Sequence, residues 1–207
     1  MFSSLHCRNY RLWFFGQTVS QSGTWMQTVA QSALVLFGLH GSALDLGITT
    51  GLQFGPVLVL GPVGGLLVDR FDKRKLLLLT QTALIAQALA LAVLVASGVA
   101  NLWMVWLLAF AMGVIYSVDQ PARQSFVVEM VGPEDIVNAV GLNNVIFNAS
   151  RIVGPAIAGV FLVTMGMAWT FALNAASYVA VLAALLAMRA SELYRQPPVP
   201  GGKGQIR

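Results

Sequence analysis

The sequence is poor in charged residues. Only 10% of its 207 residues are Asp, Glu, Lys or Arg, while 57% are hydrophobic. An ordinary soluble domain has about 25% charged residues. So few charges cannot cover the surface of a soluble protein of this size, and so high a hydrophobic content does not fit a disordered chain. The composition therefore excludes a soluble enzyme and leaves an integral membrane protein.

Cysteine and histidine are also scarce. A single cysteine, Cys7, cannot form an internal disulfide, which excludes a disulfide-stapled secreted domain. His6 and His40 both lie outside the predicted membrane core, so no cluster of His, Cys and carboxylate residues is available to bind a metal. We therefore expect no catalytic residues, no metal and no cofactor.

Long uncharged stretches predict the membrane-spanning segments. Residues 12–44, 46–68, 76–118 and 152–188 contain no Asp, Glu, Lys or Arg, and a spanning helix needs about 20 apolar residues. A turn signal at Ser97-Gly98 divides the third stretch, and a break near Gly166 divides the fourth. The result is an all-α membrane protein whose six helices are predicted at about 11–38, 44–68, 74–97, 101–119, 136–164 and 168–188.

The basic residues predict the orientation. With six spans both termini lie on one side, and eleven of the twelve Lys and Arg residues fall there. This bias is typical of cytoplasmic loops, so residues 1–10 and the tail 190–207 are expected in the cytoplasm. The first apolar run is a full-length span, so no cleavable signal peptide is evident. Basic residues scattered over short loops do not indicate nucleic-acid binding. The eleven basic residues on the predicted cytoplasmic side are Arg8, Arg11, Arg70, Lys73, Arg74, Lys75, Arg123, Arg189, Arg195, Lys203 and Arg207.

Polar side chains follow one face of the first helix. Their spacing of three and four residues places them on one side of an α-helix, and amides facing lipid would be costly. They either form interhelical hydrogen bonds or line a water-filled cavity; the number of glutamines favours the cavity, because packing seams usually use small residues. The residues are Gln17, Ser20, Gln21, Thr24, Gln27, Thr28 and Gln31.

The fifth predicted helix carries a second polar face. Asn144, Asn148 and Arg151 are separated by four and three residues. An arginine near the bilayer centre costs about 2.5–3.5 kcal/mol on insertion scales, so it faces protein or water. Arg151 is therefore either functional or bonded to helix carbonyls and amide neighbours, and no Asp or Glu is predicted in a span core to pair with it.

A glycine–proline segment and two charged patches are further features of the sequence. Gly154-Pro155 predicts a kink, and Gly154, Ala158 and Gly159 form a small face. The segment 65–75 places two acids and four bases between the second and third helices, where Asp69 and Lys73 have the i, i+4 spacing of an ion pair. Asp119 and Arg123 form another charged patch at the predicted end of the fourth helix.

These residues together resemble the N-terminal half of a major facilitator superfamily transporter, from about Asn9 to Arg189. The segment 65–75 is similar to the superfamily signature G-x-L-x-D-R-x-G-R/K-R/K, with Asp72 replacing its second glycine. The segment from Arg151 to Gly159 is similar to the antiporter motif R-x-x-G-P-x-x-G-G, with Ala158 for one glycine. The nearest likeness is to the drug and siderophore exporter branch that includes enterobactin exporters.

The resemblance implies six helices arranged as 3+3 inverted repeats, and export of a small organic molecule by alternating access. It implies a cytoplasmic gating network in which Asp69, Lys73 and Asp119 latch the outward-facing state, Arg70, Arg74 and Arg123 support them, and Gly65 allows close helix contact. It also implies a bacterial inner-membrane location. The substrate site would be lined by Gln21, Thr24, Gln27, Gln31, Asn144, Asn148 and Arg151.

The sequence departs from the family pattern in two ways. Ala109 stands where the family often carries an arginine linked to proton transfer, four residues before Gly113. Family members also have about twelve helices, so we expect a second six-helix half, either on a missing C-terminal segment or on another chain. The alternative is a transport-inactive fragment. Protons remain an open choice of coupling partner, and the cargo is expected to be neutral or anionic.

Overall fold

The structure, a computed structural model, describes residues 3–194, and all the regular secondary structure in that range is helical. The predicted all-α class is confirmed. The basic residues Arg195, Lys203 and Arg207 and the rest of the predicted tail lie outside the described residues. Within them the long helices are α1 (Arg8–Ala33), α2 (Ala43–Arg70), α3 (Lys73–Ala96), α4 (Leu102–Met130), α5 (Ile136–Thr164) and α6 (Met167–Ala187).

Helix starts follow from capping residues. Ser42 and Asp45 form a capping box at the start of α2, with the Ser42 backbone N–H donating to Asp45 Oδ2 over 2.7 Å. Asp72 caps α3 by accepting the Lys75 backbone N–H over 3.0 Å. Between α5 and α6 the chain turns at Gly166, whose φ of +84° suits glycine. Asp72, in the charged segment between α2 and α3, therefore helps to initiate α3.

The fourth helix is longer than predicted. The sequence placed its end at residue 119, where charged residues begin, but α4 continues to Met130. Asp119 is consequently fully buried inside the bundle. This burial is not anticipated from the sequence, and it arises because α4 carries Asp119 and Arg123 inward against α1 and α3.

Five helices of the described chain, α2 to α6, are long and apolar enough to cross a membrane. The first helix is not among them, although it has 26 residues and continues as a π-helical turn over Leu34–Gly38. Its hydropathy is lowered by polar residues that the bundle buries, including Gln17, Gln27 and Gln31.

The helices pack in a small number of extensive pairs. α2 packs on α4, α1 packs on both α5 and α6, and α3 packs on both α6 and α4. A large apolar cluster at one end includes Trp13, Phe126 and Leu185, and a separate cluster at the other end includes Leu34, Leu91 and Phe171. The polar residues considered next lie between these apolar ends.

Candidate substrate cavity

A cavity of about 490 Å³ opens between α1, α2, α4 and α5. Its walls combine aromatic rings with amides, hydroxyls and one ion pair. It is lined by Gln21, Thr24, Trp25, Thr28, Gln53, Phe54, Tyr116, Asp119, Gln120, Arg123, Gln124, Val127, Val140, Asn143, Asn144 and Phe147.

The cavity brings together part of the predicted substrate site. Gln21 and Thr24 from α1 face the same space as Asn144 from α5. Asp119 and Arg123, which the resemblance assigned to the cytoplasmic gating network, also line it. The amide side of the first helix and the polar side of the fifth therefore border one space.

Gln27 and Gln31 lie inside the bundle and not on the cavity wall. Gln27 is fully buried, donates to Gln87 Oε1 over 3.0 Å and accepts from Asn174 Nδ2 over 2.6 Å. Gln31 is also buried, and neither polar atom of its amide has a partner among the described residues. For Gln27 the structure shows the interhelical hydrogen bonding that the sequence left open as an alternative.

Asn148 and Arg151 are exposed on α5. The Asn148 side chain donates to the backbone carbonyl of Asn144 over 2.9 Å. The Arg151 guanidinium lies over the Trp25 ring, 5.3 Å from its centroid, a cation–π geometry. Arg151 thus covers Trp25, an aromatic residue of the cavity wall.

Asp119 and Arg123 form the centre of a buried hydrogen-bond network. Asp119 Oδ1 accepts from Thr80 Oγ1 over 2.6 Å and from Gln81 Nε2 over 2.8 Å. Arg123 Nε donates to Asp119 Oδ2, and Arg123 Nη1 donates to Gln17 Oε1. The network joins α1, α3 and α4, and it satisfies a buried ion pair whose members would each be costly alone.

A cluster of hydroxyl groups at the cavity was missed by the sequence reasoning. Thr24, Tyr116 and Tyr178 are joined by contacts of 3.0–3.3 Å between their hydroxyl oxygens. Tyr116 is in α4 and Tyr178 is in α6, and both are buried. Tyrosines inside apolar spans were the available signal, since a buried Tyr hydroxyl usually finds a partner.

The predicted gating residues of segment 65–75 lie at the end of the bundle where α2 ends and α3 begins. Lys73 Nζ pairs with Glu129 Oε1 at 2.5 Å, and not with Asp69 as the i, i+4 spacing suggested. The spacing argument fails because α2 ends at Arg70 and the chain turns before Lys73. Arg74 Nε donates to the Leu185 carbonyl at the end of α6 over 2.9 Å.

The remaining members of that set are on the surface of the described chain. Asp69 and Arg70 are exposed. A Cβ added to Gly65 would meet no atom within 4 Å, whereas one on Gly64 would lie 1.9 Å from the Ser117 carbonyl oxygen. Close helix contact within this chain therefore occurs at Gly64, and contact at Gly65 remains a prediction about a partner.

The antiporter-like motif forms part of the packing between α1 and α5. Gly154 and Ala158 are buried one turn apart, and a Cβ on Gly154 would lie 2.7 Å from the Ser22 carbonyl oxygen. Pro155 lies inside α5, and Gly159 faces open space. Gly154 thus lets α1 and α5 approach closely beside the cavity.

The arrangement is suited to holding an organic molecule. Aromatic rings offer an apolar contact surface, and amides and the ion pair fix orientation, as in other small-molecule sites. Among residues 3–194 there is no group of three His, Cys, Asp or Glu side chains close enough to hold a metal ion.

The chain is similar to known bacterial transporters. Residues 1–199 match the family model described as transmembrane secretion effector. The chain is 33% identical over 162 residues to the MFS-type transporter YfiS of Bacillus subtilis, covering 78% of this chain and 38% of that protein. It is 31% identical over 165 residues to the staphyloferrin A transporter of Staphylococcus aureus, covering 79% and 41% respectively.

Two other matches cover nearly the whole chain. An enterobactin exporter, EntS, of Escherichia coli is 26% identical over 191 residues, which is 92% of this chain and 44% of that protein. A solved bacterial homologue of the human lysosomal transporter Spinster, in an inward-facing and unoccupied conformation, has the same fold, with a TM-score of 0.60 and 18% identity over 96% of this chain and 46% of that one.

The chain spans less than half the length of each of these relatives, which are transporters and not enzymes. Its apolar helices and these matches agree with the resemblance to the major facilitator superfamily and with a multi-pass protein of a bacterial membrane. The family match extends over nearly all of the described residues and identifies the chain as a member of the transmembrane secretion effector family of major facilitator superfamily transporters.

Proposed function

We propose that this chain is the N-terminal six-helix half of a secondary active transporter that exports a small organic molecule by alternating access. The observation that carries the proposal is the shared cavity: Gln21 and Thr24 on α1 and Asn144 on α5 line one space of about 490 Å³. A polar cavity within a helix bundle is where a transporter of this family would bind its cargo.

The packing pattern supports a 3+3 repeat. If α1, α2 and α3 correspond to α4, α5 and α6, the contact of α1 with α5 corresponds to that of α4 with α2. The contact of α1 with α6 likewise corresponds to that of α4 with α3. These pairs and the α3 contact with α6 are the extensive ones. We therefore propose that all six helices cross the membrane, with residues 11–189 as the bundle, residues 1–10 and 190–207 in the cytoplasm, and the bacterial inner membrane as the location.

The gating role of the charged end rests on the position of its side chains. Asp69 and Arg70 are exposed and Gly65 has open space around it, as a surface that meets a second half would require. In this proposal Asp69 forms its latch with residues of the rocking partner. Lys73 and Arg74 hold α3 against α4 and α6 through Glu129 and the Leu185 carbonyl.

The candidate group for ion coupling is Asp119. Asp119 is a buried carboxylate at the cavity wall, and such a group is what a coupled proton would need. The amino acid at the position linked to proton transfer in relatives is Ala109, which is buried. In this proposal the coupled proton is carried by Asp119 and not by residue 109.

An export assay tests the proposed function in bacterial cells whose own exporters have been deleted. Cells loaded with a radiolabelled siderophore or macrolide would express the chain alone or with the C-terminal part of the Bacillus relative. We expect export only with the second half, and its loss when an ionophore collapses the proton gradient. Export unaffected by the ionophore would reject proton coupling.

Asp69→Asn should abolish that export while leaving membrane insertion intact, and the exposed Glu192→Gln is the matched control. Unchanged export by Asp69→Asn would reject the latch. Absence of export with any partner would favour the alternative of an inert fragment. Export by the chain alone, together with a dimer in detergent, would show that the half pairs with itself.

A further inference from the structure

The two charged side chains of the cavity wall differ in their exposure. The Asp119 side chain has no accessible surface, whereas the Arg123 side chain retains 8%. The Asp119 carboxylate accepts hydrogen bonds from Thr80, Gln81 and Arg123. A molecule in the cavity therefore meets the guanidinium before it meets the carboxylate.

Arg123 also keeps hydrogen-bonding capacity. Its Nε donates to Asp119 and its Nη1 donates to Gln17. An arginine has five N–H donors, and the Nη2 group has no bond to a protein atom among residues 3–194. A nearly buried cation that lines a cavity with free donors is a site for an acceptor carrying negative charge.

The rest of the wall fits an apolar body attached to that acceptor. Trp25, Phe54 and Phe147 supply rings, and no Asp or Glu other than Asp119 lines the cavity among residues 3–194. Gln120 and Gln124 add amide donors on the same helix as Arg123. The electrostatic and apolar features point to one class of ligand.

We propose that Arg123 is the specificity-determining residue of this cavity and selects organic acids, binding the carboxylate or phenolate of a cargo whose aromatic or apolar body lies against the three rings. The inference rests on the proposed function and adds the substrate class. The residue expected to supply positive charge from sequence, Arg151, instead stacks on Trp25 outside the cavity lining.

Binding to the chain in lipid nanodiscs tests this directly, without transport. Three probes share one body: 2-naphthoate, the neutral 2-naphthamide and the cationic 2-naphthylmethylamine. Equilibrium dialysis against loaded and empty nanodiscs separates binding from lipid partitioning. We expect the acid to bind roughly tenfold more tightly than the amide, the size of one charge-assisted hydrogen bond, and the amine to bind least.

Arg123→Gln should remove the preference for the acid, so that the ratio of acid to amide affinity falls from about tenfold to about one. The matched control is Arg11→Gln, an exposed residue at the start of α1, which should keep the preference. If circular dichroism shows that Arg123→Gln does not fold, the ratio of acid to amide affinity in the unaltered chain decides. Equal affinities, or tightest binding of the amine, would overturn the inference and leave the binding site standing. Absence of binding by all three probes would also overturn the inference, while the export assay described above decides the proposed function separately.

Discussion

At the residue scale, the ion pair between Lys73 and Glu129 holds two helices of the bundle together. The two side chains are 17% and 11% exposed, and the pair joins the start of α3 to the end of α4. Removing one partner of a nearly buried pair leaves an uncompensated charge, which is more damaging than replacing both partners by apolar residues.

Glu129→Gln should therefore lower the free energy of unfolding by about 2–3 kcal/mol. The double variant Lys73→Met with Glu129→Leu should lower it by less. The control is Glu192→Gln, whose pair with Arg189 is exposed and should contribute about 0.5 kcal/mol or less. Unfolding in graded SDS, followed by circular dichroism, measures all three, and equal losses for Glu129→Gln and Glu192→Gln would refute the structural role of the pair.

Cys7 offers a pH-dependent test of the packing at the N-terminus. Burial, and then the nearby carboxylates of Asp135 and Glu134, raise the pKa of its thiol above the usual range. Because the thiolate is the reactive form, alkylation by N-ethylmaleimide should keep accelerating with pH beyond the point where it levels off in the SDS-unfolded chain. Asp135→Asn should shift the profile to lower pH. A folded-chain profile that levels off at the same pH as the unfolded one would contradict this arrangement.

Residue roles were the part of the site least accessible from sequence. Spacing placed Gln21, Thr24 and Asn144 on polar helix faces, and all three line the cavity. Spacing could not distinguish them from Gln27, on the same stripe, because the difference depends on the position of Gln87 and Asn174 on other helices. Asp69 and Lys73 were misread as a pair because their spacing assumes one continuous helix.

At the scale of elements, the crossing of α2 and α4 depends on a single missing side chain. Gly64→Ala places a Cβ 1.9 Å from the Ser117 carbonyl oxygen, and the nearest atoms are backbone that cannot rotate away. We expect a loss of about 1–3 kcal/mol, typical of overpacking. Gly65→Ala is the neighbouring control, since it meets open space and alanine is a better helix former than glycine. The same SDS titration decides, and equal stability of the two variants would refute the close crossing.

The first helix tests the proposed number of spans. In a Cys7→Ser background, single cysteines at His6, Phe71 and Val99, all exposed positions, would report the side of each end. If α1 crosses the membrane, an impermeant maleimide added to intact cells labels Val99→Cys and spares His6→Cys and Phe71→Cys. Labelling of His6→Cys from outside would show that α1 does not cross.

The positions of most helices were predictable, because uncharged stretches and turn residues indicate where helices lie and where they end. The end of α4 was not predictable, because charged residues usually mark the membrane surface, whereas Asp119 and Arg123 neutralise one another inside the bundle. The low hydropathy of α1 has a related origin: its glutamines are hydrogen-bonded or enclosed by neighbouring helices. Both cases are tertiary contacts that a single helix does not reveal.

At the scale of the whole molecule, the class and the family were readable from composition and two motifs, but the arrangement around the cavity was not. Which helices adjoin depends on close contacts such as Gly154 against Ser22, and these join residues far apart in the chain. The central claim of the account is that α1 and α5 border a hydrated space within the bundle, while α3 and α6 present apolar surface to lipid.

Reactivity of single cysteines towards a water-soluble methanethiosulfonate reagent tests that claim most directly. In the Cys7→Ser background, Gln21→Cys and Asn144→Cys should react readily in membranes. Leu89→Cys and Val179→Cys, exposed on α3 and α6 near the middle of their helices, should react at least about tenfold more slowly, because their surroundings exclude water. Equal rates at the four positions, or faster reaction on α3 and α6, would contradict the account.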